Sequence, residues 1–489
     1  MRPESRRTFL KTAGASGLLL GGCLHDGRPL SGGQWVNDAH SQLNRTQIAG
    51  ILRPEDPESI QKHLRAGRGL SICGGRHAMG GQQFTSGGWL ADTSKLSRVL
   101  HFDKVKGLLE VEAGIQWPEV LRYLEEHQEA ASQPWGFAQK QTGADKLSLG
   151  GALSANAHGR GLLFQPFVQD VESVQIVNAQ GEMLECSRTR NRELFRHVVG
   201  GYGLFGFVYS LKLRLVPRQK LRREVEILHV RELAARLEAQ MQTGATYGDF
   251  QFNIDPASKD FLQEGVFSTY VPVPADTPLP STPRKLAPGA WKQLIYLAHH
   301  DKAEAYKRYT VHYRSTHGQV YWSDAHQMSW YEEHYHHALE QRTDIRRGTE
   351  MITELYVPRD RLPDFLKEAA EELRQRRADV IYGTVRFIRK DDTTALPWAR
   401  EDYASIVVNL HVDHDRAGLA KAQDDFRSLI DLAVAREGSY FLTYHKWATR
   451  EQVQAAYPRF EEFLAKKQAW DPDERFQSDW HRHHCALFA

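Results

Sequence analysis

The sequence predicts an α+β fold on three observations. Runs alternating apolar and polar residues recur along the chain, at residues 171–177, 211–215, 383–388 and 406–412, the period-two mark of half-buried strands. Turn residues follow several such runs, as at Gln180-Gly181 and residues 104–107, which favours antiparallel neighbours over long crossovers. Helical stretches stand apart from the strands. Pro57 lies near one start, Trp117-Pro118 opens another, and residues 362–373 carry helical spacing.

Length and composition bound the rest. A chain of 489 residues suggests two to four domains. Hydrophobic residues at 41% and charged residues at 25% suit a chain that buries large cores. A net charge of +2 argues against nucleic acid as a partner. Beyond the N-terminus no apolar run approaches the ~20 residues of a membrane span.

The N-terminus reads as a targeting segment. Ser5-Arg6-Arg7-Thr8-Phe9-Leu10-Lys11 resembles a twin-arginine export signal, and residues 12–22 are small and apolar. Leu20-Gly21-Gly22-Cys23 resembles a lipobox, with Cys23 as the lipidated residue. Residues 1–22 are therefore expected to be a signal peptide and 23–43 a Gly-, Ser- and Asp-rich tether. The expected location is periplasmic, or membrane-anchored through a lipid on Cys23. Cys73, Cys186 and Cys485 are widely spaced and form no metal-ligand set; Cys73 and Cys186 read as small core residues.

Residues 70–73 read as a short buried strand, and the chain then runs Gly74-Gly75-Arg76-His77-Ala78-Met79-Gly80-Gly81-Gln82. Glycine inside a strand or helix costs about 0.5–1 kcal/mol relative to alanine. Four in nine residues therefore mark a tight turn that brings backbone close to a ligand, and consecutive N–H groups there suit a diphosphate. The bland alternative is a Gly-rich turn with a surface histidine. Residues 96–111 suggest two strands, and Val111-Glu112-Ala113-Gly114 leads into the helix at Trp117. A second block reads Ser148-Leu149-Gly150-Gly151-Ala152-Leu153-Ser154-Ala155-Asn156-Ala157-His158-Gly159-Arg160-Gly161. Its small residues let backbone approach something flat and large. A hairpin over 171–186 follows, then Asn191-Arg192-Glu193-Leu194-Phe195, then Gly200-Gly201-Tyr202-Gly203-Leu204-Phe205-Gly206-Phe207-Val208 and a strand ending at Pro217.

In this order, over about residues 45–217, these motifs resemble the FAD-binding domain of the vanillyl-alcohol-oxidase family, the PCMH-type flavoproteins. The pattern is nearest to the sugar-alcohol and aldonolactone oxidase branch. The resemblance implies FAD as cofactor and a two-subdomain PCMH-type domain over 44–217. It also implies a substrate (cap) domain with a central antiparallel sheet over 218–430, and a C-terminal segment, 431–489, that returns to the FAD domain. It implies cofactor contacts from Gly74, Gly75, Arg76, His77, Ala78, Met79, Gly80 and Gln82 in the first block. From the second block and the closing motif it implies Ser148, Gly151, Ser154, Asn156, His158, Gly159 and Val208. In many members the histidine corresponding to His77 is bonded to the 8α carbon of the flavin. Some branches add a cysteine link from the second block, but only Ser148 and Ser154 stand there, so a single bond through His77 is expected.

The activity so implied is oxidation of a CH–OH group of a small polar substrate, of sugar, polyol or lactone type, with hydride transfer to flavin N5. The electron acceptor is O₂ or a redox carrier. A positive group near N1 and C2=O would stabilise the reduced ring, and Arg386, Lys446 and His445 are candidates. Arg386 matches a site arginine on the central cap strand of alditol-type members, although the glutamate two positions before it in those members is Thr384 here. Glu354, His411 and His445 are candidate proton acceptors. Two other readings stay open: the same fold with non-covalent FAD, and a binding protein whose tracts His334-Tyr335-His336-His337 and His481-Arg482-His483-His484-Cys485 ligate a metal. Neither tract has recognised zinc spacing, and such tracts are commonly solvated loops, so no metal ligand is assigned.

Overall fold

The structure is a computed structural model that describes residues 33–128, 131–329 and 347–489. The export signal, Cys23 and the tract from His334 to His337 lie outside the described residues.

Three sheets carry the architecture. The first is parallel, with Trp89–Asp92 between Gly50–Leu52 and Leu70–Cys73. Helix Pro57–Arg65 crosses over it, its N-terminus capped by Asp56 and its first turn opened by Pro57. The second sheet is antiparallel, in the order Met183–Ser187, Val171–Val177, Phe207–Arg214, Leu108–Glu112, Val99–Asp103. The hairpin turns at Gln180-Gly181 and residues 104–107 lie where the sequence predicts them. Gly181 at φ +76° and Gly107 at φ +65° take left-handed conformations that glycine adopts without cost.

The third sheet is antiparallel with eight strands. Its order is Val320–Trp322, Lys220–His229, Glu264–Val273, Tyr247–Phe252, Val380–Ile388, Tyr403–Asp413, Gly348–Pro358, Ser439–Tyr440. A single residue pair, Phe250 with Val385, joins its two halves. Gly383 lies at this seam, where a Cβ would sit 1.9 Å from the Phe252 ring. Helices Leu362–Gln375 and Arg416–Val434 pack on the sheet through apolar faces that include Phe365, Leu366, Phe426 and Leu429.

The C-terminal segment runs back to the first sheet. Leu70 N–H donates to Arg475 O at 2.7 Å, Gln477 N–H donates to Leu70 O at 3.1 Å, and Ser86 Oγ donates to Asp479 at 2.8 Å. No helix among the described residues is long and apolar enough to cross a membrane.

Residues 34–43 do not behave as the tether expected there. Gln34–Val36 pairs with Thr46–Ile48, and buried Asp38 accepts from Ser41 N–H at 2.6 Å and Ser41 Oγ at 2.9 Å. Small polar residues look like linker by composition, but here they satisfy the backbone of a folded loop. Cys73 and Cys186 are core residues whose thiols burial pushes up to about 12. The tract from His481 to Cys485 is no solvated loop either: it lies in helix Asp479–Phe488, with His481 and His484 buried.

Candidate active site

The loop after Leu70–Cys73 packs directly on the second glycine block. A Cβ on Gly74 would lie 1.9 Å from Ser148 Oγ, and one on Gly75 would lie 2.4 Å from Lys146 O. Gly74 is therefore needed where the loop meets the Ser148 side chain, and Gly75 where two pieces of backbone meet. Arg76 follows in a left-handed conformation, φ +59°, with its guanidinium 3.0 Å from Asp92 Oδ2. His77 then projects between two partners. Its Nδ1 is 2.8 Å from His40 Nε2, and its Nε2 is 3.0 Å from Lys146 O. Burial, followed by the His77 charge, pushes His40 down to about 3, so His40 is a neutral neighbour.

The second half of the loop has a different job. The N–H groups of Met79 and Gly80 donate to Thr443 O at 3.2 and 3.0 Å. They bind the C-terminal segment, and neither residue lines the cavity described next. The expectation that both contact a cofactor is corrected on this ground. Gln82 does line the cavity while donating to Leu442 O at 3.0 Å.

In the second block Ser148 caps helix Leu149–Ala155, its Oγ accepting from Gly151 N–H at 3.2 Å. Asn156 ends that helix at φ +47°, and its side chain is used up within the protein, donating to Asp391 at 2.9 Å and accepting from Val168 N–H at 2.9 Å. Gly159 packs on Lys140, where a Cβ would lie 2.8 Å from the carbonyl oxygen. Asn156 and Gly159 are thus structural and stand off the cavity wall.

A cavity of about 960 Å³ runs from this double loop to the eight-stranded sheet. Of the expected cofactor residues, Gly74, Gly75, Arg76, His77, Ala78, Gln82, Ser148, Gly151, Ser154, His158 and Val208 line it. On the sheet side Glu350, Ile352 and Glu354 line it from alternate positions of one strand, and Arg386 and Tyr444 join them. Glu354 Oε1 is held by His158 Nε2 and by Ser405 Oγ, the latter at 2.6 Å. Burial alone would raise the Glu354 carboxyl, but His158, Arg386 and Ser405 together hold it below the ordinary carboxylate value. His158 Nδ1 faces Gly159 O at 2.9 Å. Arg386 is 8% exposed, and among the described residues its Nε has no hydrogen-bond partner.

Three expected catalytic residues do not reach the cavity. His445 is buried behind its wall, stacked on Phe426 at 4.9 Å and near Tyr440 and Trp447, and burial pushes its imidazole down to about 3. Lys446 is half-buried on the far side of the glycine loop, where a Cβ on Gly81 would lie 3.7 Å from its Nζ. His411 stands behind Glu350, its Nδ1 3.2 Å from Oε1. The residues of the C-terminal segment that face the cavity are Phe441, Thr443 and Tyr444. Sequence reading also missed His40, Glu350 and Arg223, which come from distant stretches and share no motif, and Arg160, although it stands in the second glycine block.

Comparison with known proteins bears on the first half of the chain. A family model described as an FAD binding domain matches residues 48–187. Residues 48–187 are an FAD-binding domain. Cytokinin dehydrogenase 2 of Arabidopsis thaliana is 31% identical over 187 residues, 36% of this chain and 36% of that protein. An uncharacterised oxidoreductase of the fasciation locus of Rhodococcoides fascians is 29% identical over 181 residues, 36% of this chain and 40% of that protein. L-gulonolactone oxidase of Mus musculus is 27% identical over 150 residues, 30% of this chain and 32% of that protein. The chain thus matches less than half the length of each of these relatives.

The cavity fits FAD on its own geometry. Its volume is at the upper end of the roughly 300–1,000 Å³ of ligand and cofactor sites. The FAD-binding domain lines it with Gly74, Gly75, Gly150, Gly151, Ala152 and Ala155, so backbone rather than side chain forms the wall a flat cofactor would meet.

Proposed function

We propose that the protein is an FAD-linked oxidoreductase that oxidises a CH–OH group of a small polar substrate of sugar, polyol or lactone type. One observation carries the reading: a single cavity is bounded on one side by the loop bearing His77 and on the other by Glu354 and Arg386. In this reading residues 44–217 hold the cofactor, the eight-stranded sheet covers it as a substrate domain, and the C-terminal segment ties the two together. The names of the lactone oxidases among the relatives support the substrate class.

FAD, when bound, supplies a two-electron acceptor. The chain supplies the rest. Glu354 Oε1 is occupied by His158 and Ser405, and Oε2, with the Tyr444 hydroxyl beside the carboxylate, takes the proton of a substrate hydroxyl. Arg386, a guanidinium in a water-poor wall, stabilises the negative charge that develops as that proton leaves. Arg160, Arg223, Asp249 and Asn409 give the remaining wall a polar character that suits a hydroxylated substrate. His77 carries the flavin. Its contact with neutral His40 and the Lys146 carbonyl fixes the ring, and an imidazole attacks a carbon only through an unprotonated nitrogen. Electrons leave to O₂ or a redox carrier. Export by the twin-arginine route through Arg6 and Arg7, with anchoring at Cys23, belongs to the same reading, because a covalent cofactor survives in a compartment without free FAD.

The test is visible absorbance of the purified protein before and after acid precipitation, with turnover of aldonolactones and alditols measured against O₂ and a dye acceptor. Flavin colour in the acid pellet and reduction by one of these substrates are expected. A colourless protein would end the flavoenzyme reading. Colour in the supernatant would end only the covalent bond.

A further inference from the structure

We propose that His299, Glu350 and His411 form a binding site for a divalent first-row transition metal on the wall of the cavity. Glu350 and His411 are directly opposed across strands Gly348–Pro358 and Tyr403–Asp413. Helix Pro288–His300 brings His299 to the same point from its last turn. The three side chains are 2%, 7% and 10% exposed, in the order His299, Glu350, His411.

The distances suit a shared ion as well as hydrogen bonds to one carboxylate oxygen. His299 Nε2 is 3.1 Å and His411 Nδ1 is 3.2 Å from the same oxygen, Glu350 Oε1. Ligands each about 2.0–2.2 Å from one Zn²⁺ stand roughly 3.0–3.6 Å apart. His299 Nε2 is buried and, among the described residues, faces the Glu350 carboxylate without a well-aligned hydrogen bond.

Two features of the surroundings agree. His411 Nε2 lies 3.8 Å from Asp413, an electrostatic contact beyond hydrogen-bond reach. Gly348 makes room for that ring, since a Cβ there would lie 2.6 Å from His411 Nε2. The C-terminal end of a helix, where His299 sits, carries partial negative charge that favours a cation. Two imidazoles and one carboxylate suit Zn²⁺ or its neighbours and leave coordination positions open. Glu350 lines the cavity while His299 and His411 stand behind it, so the ion would sit just inside the wall. The ion would also pin the helix that carries Trp291, Leu294 and Ile295 on the cavity wall to the sheet. None of this depends on the flavin reading.

The experiment uses the full-length protein, dialysed against chelator and titrated with Zn²⁺ by calorimetry and with Co²⁺ by visible absorption. One equivalent is expected, with Co²⁺ d–d bands and no thiolate charge-transfer band. Glu350→Gln and His299→Gln should each weaken binding by about tenfold to a hundredfold or more, with unchanged circular dichroism as the check on folding. Failure to take up one equivalent would overturn the proposal. So would a thiolate band, which points to Cys485, or undiminished binding in both variants, which points to the other histidine tracts. If the variants do not fold, a protein with His334, His336, His337 and His483 replaced by Gln should keep the wild-type Co²⁺ spectrum, and its loss would overturn the proposal.

Discussion

Gly74→Ala should destabilise the protein by about 2–4 kcal/mol, and a second substitution should reverse most of the loss. A Cβ at residue 74 meets Ser148 Oγ at 1.9 Å and Ser148 Cβ at 2.8 Å. Rotating the serine hydroxyl away relieves only the first contact. It also removes the cap on Gly151 N–H, worth about 1 kcal/mol. The remaining Cβ–Cβ overlap forces backbone apart, an overpacking cost of about 1–3 kcal/mol. Ser148→Gly deletes both offending atoms and costs only a few tenths of a kcal/mol as a cap. The double variant should then lie within about 1 kcal/mol of wild type, a coupling of about 2 kcal/mol between residues distant in sequence. Equilibrium urea unfolding of the four proteins, followed by tryptophan fluorescence, measures the cycle. A Gly74→Ala protein within about 0.5 kcal/mol of wild type, or a double variant no better than the single, would refute the claim that the glycine serves loop-to-loop packing.

Further expectations concern the cavity and the N-terminus. Glu354→Gln should lower kcat by about a hundredfold or more. In the wild type the acid limb of the rate profile should lie below 4.5, the ordinary glutamate value, because the folded carboxyl titrates lower and stays ionised down to that pH; an acid limb above it would remove Glu354 as the base. Arg386→Met should cost about 10²–10³ in kcat, whereas Lys446→Met, off the cavity, should change it less than about threefold; steady-state kinetics of the two variants separate wall from surroundings. His77→Ala should fold but release its flavin into the supernatant on acid precipitation, with no flavin mass on the peptide that spans residue 77. Arg6→Lys with Arg7→Lys should hold the precursor in the cytoplasm, read by cell fractionation, and normal export would sink the twin-arginine reading.

Much of the first half was legible because its signals are local. The hairpin of Val171–Val177 and Met183–Ser187 needs only alternation and a Gln180-Gly181 turn, all within a few residues. The segment around Tyr444 shows the opposite case. It has no regular period, so nothing in the string says that Tyr444 faces the cavity while His445 is stacked behind it and Lys446 lies beyond the loop. Met79 and Gly80 failed for a related reason: their N–H groups are exposed in a turn considered alone, but Thr443 comes from the far end of the chain to accept from both.

By itself the sequence determined the α+β class, the two glycine blocks that must approach something closely, and the presence of His77 between them. Those follow from backbone preferences of neighbouring residues, which act before any long-range contact forms. Only the tertiary structure decided what the glycines approach, since Gly74 answers to Ser148 as much as to a ligand. It alone brought Glu354 to His158 and gathered His299, Glu350 and His411 around one point. Such groupings depend on how strands and helices far apart in sequence are packed, and a pairing across a sheet leaves no spacing in the chain from which it could be read.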